Sequence, residues 1–318
     1  MTIQPINEKN LAKAALLIQE GGLVAFPTET VYGLGADATN EKAVASIFEA
    51  KGRPSFNPLI VHVTKNTDLL PYVEWNDRAR LLAKIFWPGP LTFVLRRAAG
   101  SPIAPSVSGK GDTIAVRSPN HAIAQELINR SGYPIAAPSA NASGKLSPTT
   151  AEHVLDSLGD KVDMILDGGP TLVGLESTVL DLTSAVPTIL RPGCVTKESL
   201  IALLGEVQEA KAITDAPQSP GMLSSHYAPR LPLRLNALCA NDDEAFVTFG
   251  PDLFVHSGAY RINLSPRGNL DEAAANLFSM LRIVDREPYK GIAVMPIPME
   301  GLGVAINDRL ARAAAPRD

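Results

Sequence analysis

Two cations separated by one glycine, Lys51 and Arg53, stand before Pro54 at the end of a helical run. An arginine guanidinium supplies a planar fork of hydrogen-bond donors and a lysine ammonium supplies a mobile point charge, so the pair suits a polyphosphate. Pro54 and Pro58 make the loop that contains them rigid, and Asn57 comes directly before Pro58. Taken alone, this spacing is more often a solvated basic turn, so other segments must decide between the two interpretations.

Two loops rich in hydroxyl groups and glycine follow predicted strands. Residues 138–144 read Pro-Ser-Ala-Asn-Ala-Ser-Gly, and residues 27–35 read Pro-Thr-Glu-Thr-Val-Tyr-Gly-Leu-Gly. Such loops can present backbone N–H groups and hydroxyls to an anion, and Gly33 and Gly35 permit close approach of the backbone to a ligand. Because the same residue types dominate ordinary turns, plain turns are the alternative interpretation.

Two arginines stand at the ends of short apolar strands. The predicted strand 113–117 ends in Arg117, and Arg191 ends a second one. A guanidinium at such a position could bind a carboxylate through two parallel hydrogen bonds, and reaching out to solvent is the alternative. His62 lies on the apolar strand 59–63, where a core histidine is by itself the better explanation.

Several common catalytic signatures are missing from the sequence. It contains neither a P-loop nor a complete dinucleotide-binding glycine motif. Its histidines are scattered, and no cysteine–histidine cluster has zinc-site spacing. Ser139 and Ser177 do not lie in a Gly-x-Ser-x-Gly elbow, which disfavours acyl-enzyme chemistry. The remaining interpretation is a site that depends on cations, hydroxyls and backbone amides.

Five segments, taken in order, closely resemble the L-threonylcarbamoyladenylate synthase family, and in particular its long form. Each motif is weak by itself, but their order and joint presence are specific. The similarity to the family's YrdC-like catalytic domain covers about residues 8–205, and a linker motif extends it to about residue 230. The segments are 26–34, 51–54 with 57–59, 87–90, 139–141, and 219–222 with 226–229.

The resemblance implies a defined reaction. The family joins L-threonine, bicarbonate or CO2, and ATP into threonylcarbamoyl-AMP and releases pyrophosphate; partner proteins then use the product to modify the adenosine beside the anticodon of tRNAs. The enzyme would be a nucleotidyltransferase with ATP as substrate and Mg²⁺ held on the ATP phosphates rather than by protein ligands. Because the transition state and the leaving pyrophosphate are negatively charged, cations and fixed donors should contribute more than any single base.

The family's site residues carry over to this sequence position by position. Lys51 and Arg53 are the expected catalytic cations. Arg117 should hold the threonine carboxylate, and Ala137 should contribute a backbone contact. The expected L-threonine contacts are Thr30, His62, Arg117, Ala137 and Ser177, and the expected ATP contacts are Lys51, Arg53, Asn57, Thr113, Ser139, Asn141, Ser147, Arg191 and Tyr227.

Two other functions stay open on the sequence alone. A non-catalytic RNA-binding or ribosome-maturation factor could use a YrdC-like groove, but the net charge of −4 and the aromatic content of 5% count against it. A carbamoyl transferase acting on another acceptor is the third interpretation, disfavoured because no acylphosphatase-like or zinc-cysteine segment precedes the domain. Pyrophosphate release from ATP, with threonine and bicarbonate omitted in turn, separates the three functions.

The composition sets the general class of the protein. Of 318 residues, 45% are hydrophobic and 19% are charged, which is enough apolar material for one or two packed cores and argues against a disordered chain. No stretch approaches the about 20 apolar residues that span a bilayer, and the first ten residues lack a signal-peptide pattern. Cys194 and Cys239 cannot build a disulfide framework. These features predict a cytoplasmic protein.

The elements that would position the candidate residues alternate between strand and helix. Apolar runs predict strands at 22–27, 59–63, 91–95, 113–117, 135–138, 162–166, 177–182 and 187–190. Helical patterns fall at 41–51, 77–86, 121–131, 149–158 and 197–204. Thr149 and Glu152 are expected to form a capping box at the start of the fourth helix. Adjacent strands argue against a purely parallel sheet, so the prediction is an α/β fold with a YrdC-like twisted mixed β-sheet and flanking helices.

The strand and helix pattern stops near residue 205. Residues 208–220 are rich in Ala, Pro and Gln, which is typical of a linker. The chain then resumes as a smaller Rossmann-like α/β domain, with strands at 231–235, 245–249 and 291–295 and helices near 270–284 and 304–314. The segments at 219–222 and 226–229 are expected to close over the nucleotide and bring Tyr227 to the site. The predicted boundaries are 1–206 for the catalytic domain, 207–230 for the linker and 231–318 for the C-terminal domain.

Overall fold

The computed structural model describes residues 3–109, 111–210, 226–251 and 258–316. Strands and helices alternate along the chain and form two sheets with covering helices. The predicted linker motif at 219–222 lies outside the described residues. None of the described helices is long and apolar enough to cross a membrane.

Eleven strands of the described residues form the large sheet. In chain order they are β1 (Ile3–Pro5), β2 (Val24–Phe26), β3 (Gly33–Asp37), β4 (Ile60–His62), β5 (Leu91–Arg96), β6 (Thr113–Arg117), β7 (Ile135–Ala136), β8 (Met164–Asp167), β9 (Thr178–Asp181), β10 (Thr188–Arg191) and β11 (Gln208–Glu209). Their spatial order is β1-β8-β2-β3-β7-β4-β6-β5-β9-β10-β11. Neighbours run both parallel, as β4 and β6 do, and antiparallel, as β5 and β6 do. The prediction of a mixed sheet is confirmed.

Six α-helices flank this sheet within the described residues. Helix α2 ends at Lys51 because Gly52 adopts a left-handed conformation, with φ of 60°, that turns the chain and leads directly into Arg53. The bounds predicted for α2, α3 and α6 match the structure. The helices are α1 (Glu8–Gln19), α2 (Glu41–Lys51), α3 (Asp77–Phe86), α4 (Ala122–Ser131), α5 (Ala151–Leu158) and α6 (Lys197–Leu204).

The C-terminal domain is a second, smaller α/β unit. Its described strands are β12 (Leu233–Arg234), β13 (Glu244–Thr248), β14 (Tyr260–Asn263) and β15 (Gly291–Val294), all parallel in the order β12-β15-β13-β14. Helices α7 (Leu270–Val284) and α8 (Leu302–Ala314) accompany them. Parallel strands joined through helices are the arrangement expected of a Rossmann-like domain, as predicted.

The two units share one apolar core. Val31, Leu146 and Leu175 from the large unit pack with Tyr227 and with residues of the C-terminal sheet and α7. Gly174 lies so close to α7 that a Cβ there would come within 2.6 Å of the backbone of Ala274 and Ala275. Strand β11, at the start of the predicted linker, pairs with β10 and extends the large sheet.

The prediction of a loop at residues 33–35 is wrong, because Gly33–Asp37 forms the buried strand β3. A Cβ at Gly35 would lie 2.7 Å from the Phe26 ring, so the glycine serves packing against β2 rather than a turn. Helix α1 and strand β14 were also absent from the prediction. The buried residues of α1, Leu11, Ala14, Ala15 and Ile18, do recur at helical spacing, so its pattern was present in the sequence.

The predicted capping box at α5 is wrong by one residue. Thr150, not Thr149, is the N-cap, and its side chain accepts a hydrogen bond from the N–H of His153. The carbonyl of an N-cap residue accepts the first helical hydrogen bond. The carbonyl of Thr149 accepts a hydrogen bond from the N–H of Thr171 instead, which leaves the capping position to the next residue.

Candidate functional site

A small cavity of about 40 Å³ lies at the carboxyl ends of β4, β6 and β10, beside the loops that follow α2, β2 and β7 and the segment before β9, with Tyr227 in its wall. A space of this size holds about three water molecules. The structure brings most of the predicted site residues together here. Those that line the cavity are Thr30, Arg53, His62, Arg117, Ala137, Ser139, Ser177, Arg191 and Tyr227; Thr28, Gly33, Glu176 and His226 also line it.

Arg117 and His62 are brought side by side because β4 and β6 are parallel and pair His62 with Arg117 at their carboxyl ends. Nε of Arg117 donates to the carbonyl of Gly89 at 3.2 Å, and Nη1 donates to Oγ1 of Thr30 at 3.0 Å. Nη2 lies 2.7 Å from Oε1 of Glu29 in a buried ion pair. Glu29 was not among the predicted site residues, although it lies within the motif at 26–34.

His62 is both a core residue and a cavity residue. Its Nδ1 lies 3.2 Å from the carbonyl oxygen of Ile60, and its ring meets the Phe26 ring edge-on at 6.2 Å. Burial lowers the pKa of His62 to about 3, and the neighbouring Arg117 cation acts in the same direction. His62 is therefore neutral at ordinary pH and offers a polar but uncharged group to a ligand.

The hydroxyl of Thr30 is held in place by a local turn. Oγ1 of Thr28 accepts hydrogen bonds from the N–H groups of Thr30 and Val31, both at 3.2 Å, and lies 2.8 Å from Oγ1 of Thr30. Threonine commonly stabilises turns in this way. The turn presents the Thr30 hydroxyl to Arg117 at the edge of the cavity.

Arg53 is buried and contacts backbone carbonyls. Nε donates to the carbonyl of Asn57 at 3.1 Å, and Nη2 donates to the carbonyl of Pro58 at 2.8 Å. Burial lowers the pKa of Arg53 to about 9; Tyr227 opposes this shift and the Arg191 cation adds to it. The side-chain amide of Asn57 is buried, and neither its oxygen nor its nitrogen has a hydrogen-bond partner among the described residues.

Lys51 lies behind the loop at 138–144 and does not line the cavity. Its Nζ donates to the carbonyl of Ser139 at 2.5 Å and to the carbonyl of Asn141. Burial, together with the nearby Arg53 cation, lowers the pKa of Lys51. Asn141 in turn donates to the carbonyl of Lys145 at 2.8 Å, while its Oδ1 is buried without a hydrogen-bond partner among the described residues. Lys51 thus shapes this loop from below.

Arg191 and Ser177 are joined at the other side of the cavity. Nε and Nη2 of Arg191 donate to the carbonyl of Ser177 at 3.2 and 3.0 Å, and Nη2 also contacts its hydroxyl at 3.2 Å. Oγ1 of Thr92 lies 2.7 Å from the same hydroxyl. Gly193 lets the chain that follows Arg191 lie close to the backbone of Ser177 and Thr178. A Cβ at Gly193 would lie 2.3 Å from the backbone nitrogen of Thr178.

His226 and Tyr227 cover the cavity. Tyr227 has a left-handed backbone, with φ of 61°, and its ring stacks on Phe278 of α7 at 5.5 Å. Ala228 donates its N–H to the carbonyl of Gly144 at 2.8 Å, which ties this segment to the loop at 138–144. The hydroxyl of Tyr227 and Nδ1 of His226 are buried without a hydrogen-bond partner among the described residues.

Glu176 and Arg309 belong to the site but were not among the predicted site residues. Oε1 of Glu176 accepts a hydrogen bond from the hydroxyl of Ser147, and its Oε2 accepts one from Nε of Arg309 at 2.8 Å. Burial opposes ionisation of Glu176, but Arg309 and Arg191 outweigh it and lower its pKa to about 2. Glu176 directly precedes Ser177, which was the available signal; Arg309 comes from α8, and no motif points to it.

Thr113, a predicted ATP contact, lies at the opposite end of its strand from the cavity. It begins β6, pairs with Arg96 and does not line the cavity. It lies four positions before Arg117 on the strand, which corresponds to about 13 Å. Among the residues that the structure describes, no group of three or more His, Cys, Asp or Glu side chains could hold a metal ion.

The mixed sheet with its loop-enclosed, cation-lined cavity, followed by a parallel α/β unit, defines a two-domain protein with a YrdC-like catalytic fold. Residues 16–193 match the Sua5_yciO_yrdC family, described as "Telomere recombination", and residues 195–315 match the family described as "Threonylcarbamoyl-AMP synthase, C-terminal domain". The chain therefore belongs to the threonylcarbamoyl-AMP synthase family, as its motifs implied.

Two named relatives and one solved structure are similar to this chain over nearly its whole length. The threonylcarbamoyl-AMP synthase of Bacillus subtilis is 42% identical, over 98% of this chain and 94% of its own length. That of Pyrococcus abyssi is 43% identical, over 98% of this chain and 96% of its own length. A crystal structure of P. abyssi Sua5 complexed with L-threonine superposes with a TM-score of 0.90, at 39% identity, covering 99% of this chain and 98% of that one.

Proposed function

We propose that the cavity performs the reaction of the family, in which L-threonine, bicarbonate or CO2, and ATP are joined into threonylcarbamoyl-AMP with release of pyrophosphate. The observation that carries the proposal is the burial of cations against neutral partners. Arg53 and Lys51 donate to backbone carbonyls, which do not offset their charge. Buried charge without a counter-charge is costly unless a ligand supplies it, and a polyphosphate would do so.

The threonine end of the site is proposed to lie at Arg117. Its guanidinium fork suits a carboxylate, and the neutral His62 and the hydroxyl of Thr30 suit the polar groups of an amino acid. Ser177 and the backbone at Ala137 complete the proposed set. Thr30, Ala137 and Ser177 all line the same cavity as Arg117, which supports one common subsite.

The nucleotide end is proposed to lie between Arg53 and the loop at 138–144. Asn57 and Asn141 carry buried polar atoms that a ligand could satisfy, because buried polar groups in folded proteins nearly always have partners. Lys51 acts here through the loop whose carbonyls it binds. The proposed ATP contacts are Arg53, Asn57, Ser139, Asn141, Ser147, Arg191 and Tyr227. Lys51, whose Nζ is held by the loop carbonyls, and Thr113, at the far end of β6, stay proposed contacts that require the site to rearrange.

The chemistry requires little from the protein beyond position and charge. The threonine amine is captured as a carbamate, a carbamate oxygen attacks the α-phosphorus, and pyrophosphate leaves. Arg53 faces the developing negative charge of the phosphates, which makes it the principal catalytic cation in this proposal. Mg²⁺ would be held mainly by the nucleotide's own oxygens, in keeping with its preference for phosphate and water ligands. The reaction class is nucleotidyl transfer.

Entry of ATP is proposed to involve movement of His226 and Tyr227. Both side chains line the cavity, whose volume of about 40 Å³ is small beside a nucleoside triphosphate. Closure over bound substrates would then exclude water from the unstable carbamate and adenylate. The proposed boundaries stay at 206 and 230. Within the linker 207–230, residues 208–209 pair with β10 as β11, so the movement is assigned to His226 and Tyr227.

One assay tests the proposal. The purified chain is incubated with ATP, Mg²⁺, L-threonine and bicarbonate, and pyrophosphate and threonylcarbamoyl-AMP are measured with each component omitted in turn. We expect pyrophosphate only in the complete mixture. Release that is independent of threonine, or tRNA binding without any turnover, would refute the proposed reaction. We further propose a cytoplasmic location, where the product could reach the proteins that transfer it to tRNA; cell fractionation tests this.

A further inference from the structure

Arg309 carries a fully buried charge at the contact between the two domains. It lies on α8 and only 1% of its surface is exposed. Nε donates to Oε2 of Glu176 at 2.8 Å, and Nη1 donates to Oδ2 of Asp308 at 2.6 Å. Its guanidinium also lies over the Tyr227 ring, 5.3 Å from the centroid. One side chain of the C-terminal domain therefore contacts two residues that line the cavity.

The first contact reaches Ser147, a proposed ATP contact, through Glu176. While Oε2 of Glu176 binds Arg309, its Oε1 accepts the hydroxyl hydrogen bond of Ser147. A carboxylate held at both oxygens has a fixed orientation, so Arg309 determines where Glu176 holds Ser147. Ser177, the next residue after Glu176, is part of the same cavity wall.

The second contact acts on the residue that covers the cavity. The Tyr227 ring stacks on Phe278 of α7 at 5.5 Å and also contacts the guanidinium of Arg309 of α8. A cation over the face of an aromatic ring is attractive, and more so when both groups are desolvated. These two partners of the ring belong to the C-terminal domain, and they add to the edge contact with His226 at 4.1 Å in holding Tyr227, whose backbone is left-handed, at the cavity.

We propose that Arg309 is a positioning residue for the ATP site, which orients Ser147 through Glu176 and holds Tyr227 over the bound nucleotide. It gives the C-terminal domain a role in nucleotide affinity without any contact to the substrates. The proposal rests on the proposed function, because it takes ATP as the ligand beneath Tyr227.

A purely structural role is the competing explanation. In that case Arg309 would only neutralise Glu176, since removal of one partner leaves an uncompensated buried charge and lowers stability. The two roles separate in a double variant, Glu176→Gln with Arg309→Met. The glutamine can still accept a hydrogen bond from Ser147, and no buried charge of the pair is left unpaired. A structural role predicts that this double variant is normal once it is folded.

The experiment uses the full chain and compares wild type, Arg309→Met, Arg309→Lys, the double variant, and Arg312→Met as control. Arg312 lies one turn further along α8, and its side chain also pairs with Asp308. For each protein the melting temperature is measured, ATP affinity is measured by calorimetry, and KM for ATP and for L-threonine is measured from pyrophosphate release.

We expect Arg309→Met to lower the melting temperature and the double variant to restore most of it. The double variant should still bind ATP about tenfold more weakly than wild type. A loss of this size is expected when one desolvated cation–π contact that is coupled to the site is removed. KM for L-threonine should change much less, and Arg309→Lys should recover stability more fully than ATP affinity. Arg312→Met should retain wild-type ATP affinity.

A folded double variant with wild-type ATP affinity and KM would overturn the inference and leave a structural ion pair. An equal loss of ATP affinity in Arg312→Met would also overturn it, because the effect would then belong to α8 in general. Failure of the proposed function looks different: wild type itself would show no ATP binding or no threonine-dependent pyrophosphate release.

Discussion

Oε1 of Glu29 lies 2.7 Å from Nη2 of Arg117, and both side chains are buried at the edge of the cavity. The guanidinium proposed to hold the threonine carboxylate is thus already opposite a carboxylate. Neither oxygen of Glu29 has a hydrogen-bond partner among the described residues, so the pair is held by charge rather than by well-aligned hydrogen bonds. A second carboxylate at Arg117 would share this cation with Glu29.

The first prediction concerns Glu29→Gln, which leaves Arg117 buried without its counter-charge. Breaking one side of a buried ion pair typically costs about 3 to 5 kcal/mol, so the variant should melt at a lower temperature than wild type. L-threonine should recover part of that loss, because its carboxylate supplies the missing negative charge. The measurement is the threonine-induced shift in melting temperature, which should be larger in Glu29→Gln than in wild type. Glu8→Gln, in an exposed pair with Arg130, is the control; equal shifts in all three proteins would contradict the prediction.

The second prediction assigns Arg117 to threonine. Arg117→Ala should raise KM for L-threonine and leave the affinity for ATP nearly unchanged. Arg117→Lys should recover activity only in part, because an ammonium cannot reproduce the two parallel hydrogen bonds of the guanidinium. Steady-state kinetics with each substrate varied in turn provide the test, with the exposed Arg96→Ala on the neighbouring strand as control. If ATP affinity collapsed while threonine affinity survived, the two subsites would have to be exchanged.

The third prediction assigns Arg53 to the phosphates. Arg53→Ala should abolish most synthesis, since loss of a donor that acts on developing charge costs about 2.7 to 4 kcal/mol in comparable sites, or roughly a hundredfold to a thousandfold in rate. The rate of threonylcarbamoyl-AMP formation at saturating substrates is the quantity to measure. Arg80→Ala, on the exposed side of α3, serves as the matched control. Near-normal turnover of Arg53→Ala would contradict the proposed role of Arg53 at the phosphates.

Part of this site could be predicted from the sequence because its residues occur in motifs at strand ends. Thr30, Arg53, His62 and Arg117 meet at one cavity because the sheet brings the carboxyl ends of β4 and β6 next to the loop at 26–34. Local patterns determine such placements: β6 spans the residues that its apolar pattern predicted.

The remaining contacts depend on which distant segments pack together. No periodicity indicates that α8 places Arg309 against Glu176, since the two residues belong to different domains. The position of Lys51 behind the loop at 138–144 also follows only from tertiary packing, because the spacing Lys-Gly-Arg is compatible with both cations facing one ligand. Glu29 was missed for a related reason: a single carboxylate within a turn motif carries no signal until its partner Arg117 is placed beside it.

The fourth prediction concerns pH and the buried imidazole of His62. Burial and Arg117 lower its pKa to about 3 in the folded protein, while in the unfolded chain it is about 6.5. The unfolded chain therefore takes up a proton first as the pH falls, and the folded state loses stability from about pH 6.5 downward, by about 1.4 kcal/mol per pH unit for one such group. His62→Asn should reduce the slope of unfolding free energy between pH 6 and pH 4.5 by about this amount. Denaturant unfolding across that range tests it; identical slopes would mean that His62 is not held neutral by the fold.

The fifth prediction concerns Tyr227 as the cover of the cavity. Its hydroxyl is buried without a partner among the described residues and its ring contacts Phe278 and Arg309, so the side chain is poised to meet a ligand below it. Tyr227→Ala should reduce the yield of threonylcarbamoyl-AMP, because the cavity would stay open to water and the carbamate and adenylate would be lost to hydrolysis.

The matched variant is Tyr227→Phe, which keeps the ring with these two contacts and removes only the hydroxyl. If closure is the main role, Tyr227→Phe should give nearly the wild-type yield of threonylcarbamoyl-AMP. Its affinity for ATP should fall by at most about tenfold, the effect of one missing hydrogen bond. The accompanying measurement is limited proteolysis within residues 208–230. ATP together with L-threonine should slow cleavage in wild type and in Tyr227→Phe, but much less in Tyr227→Ala. The reason is that an aromatic ring at residue 227 can contact Phe278 and Arg309, and an alanine cannot. The prediction is contradicted if the substrates do not change the cleavage rate of wild type and Tyr227→Ala keeps full activity. The segment would then be an inert tether, and the cavity would have to open by movement of the loop at 138–144.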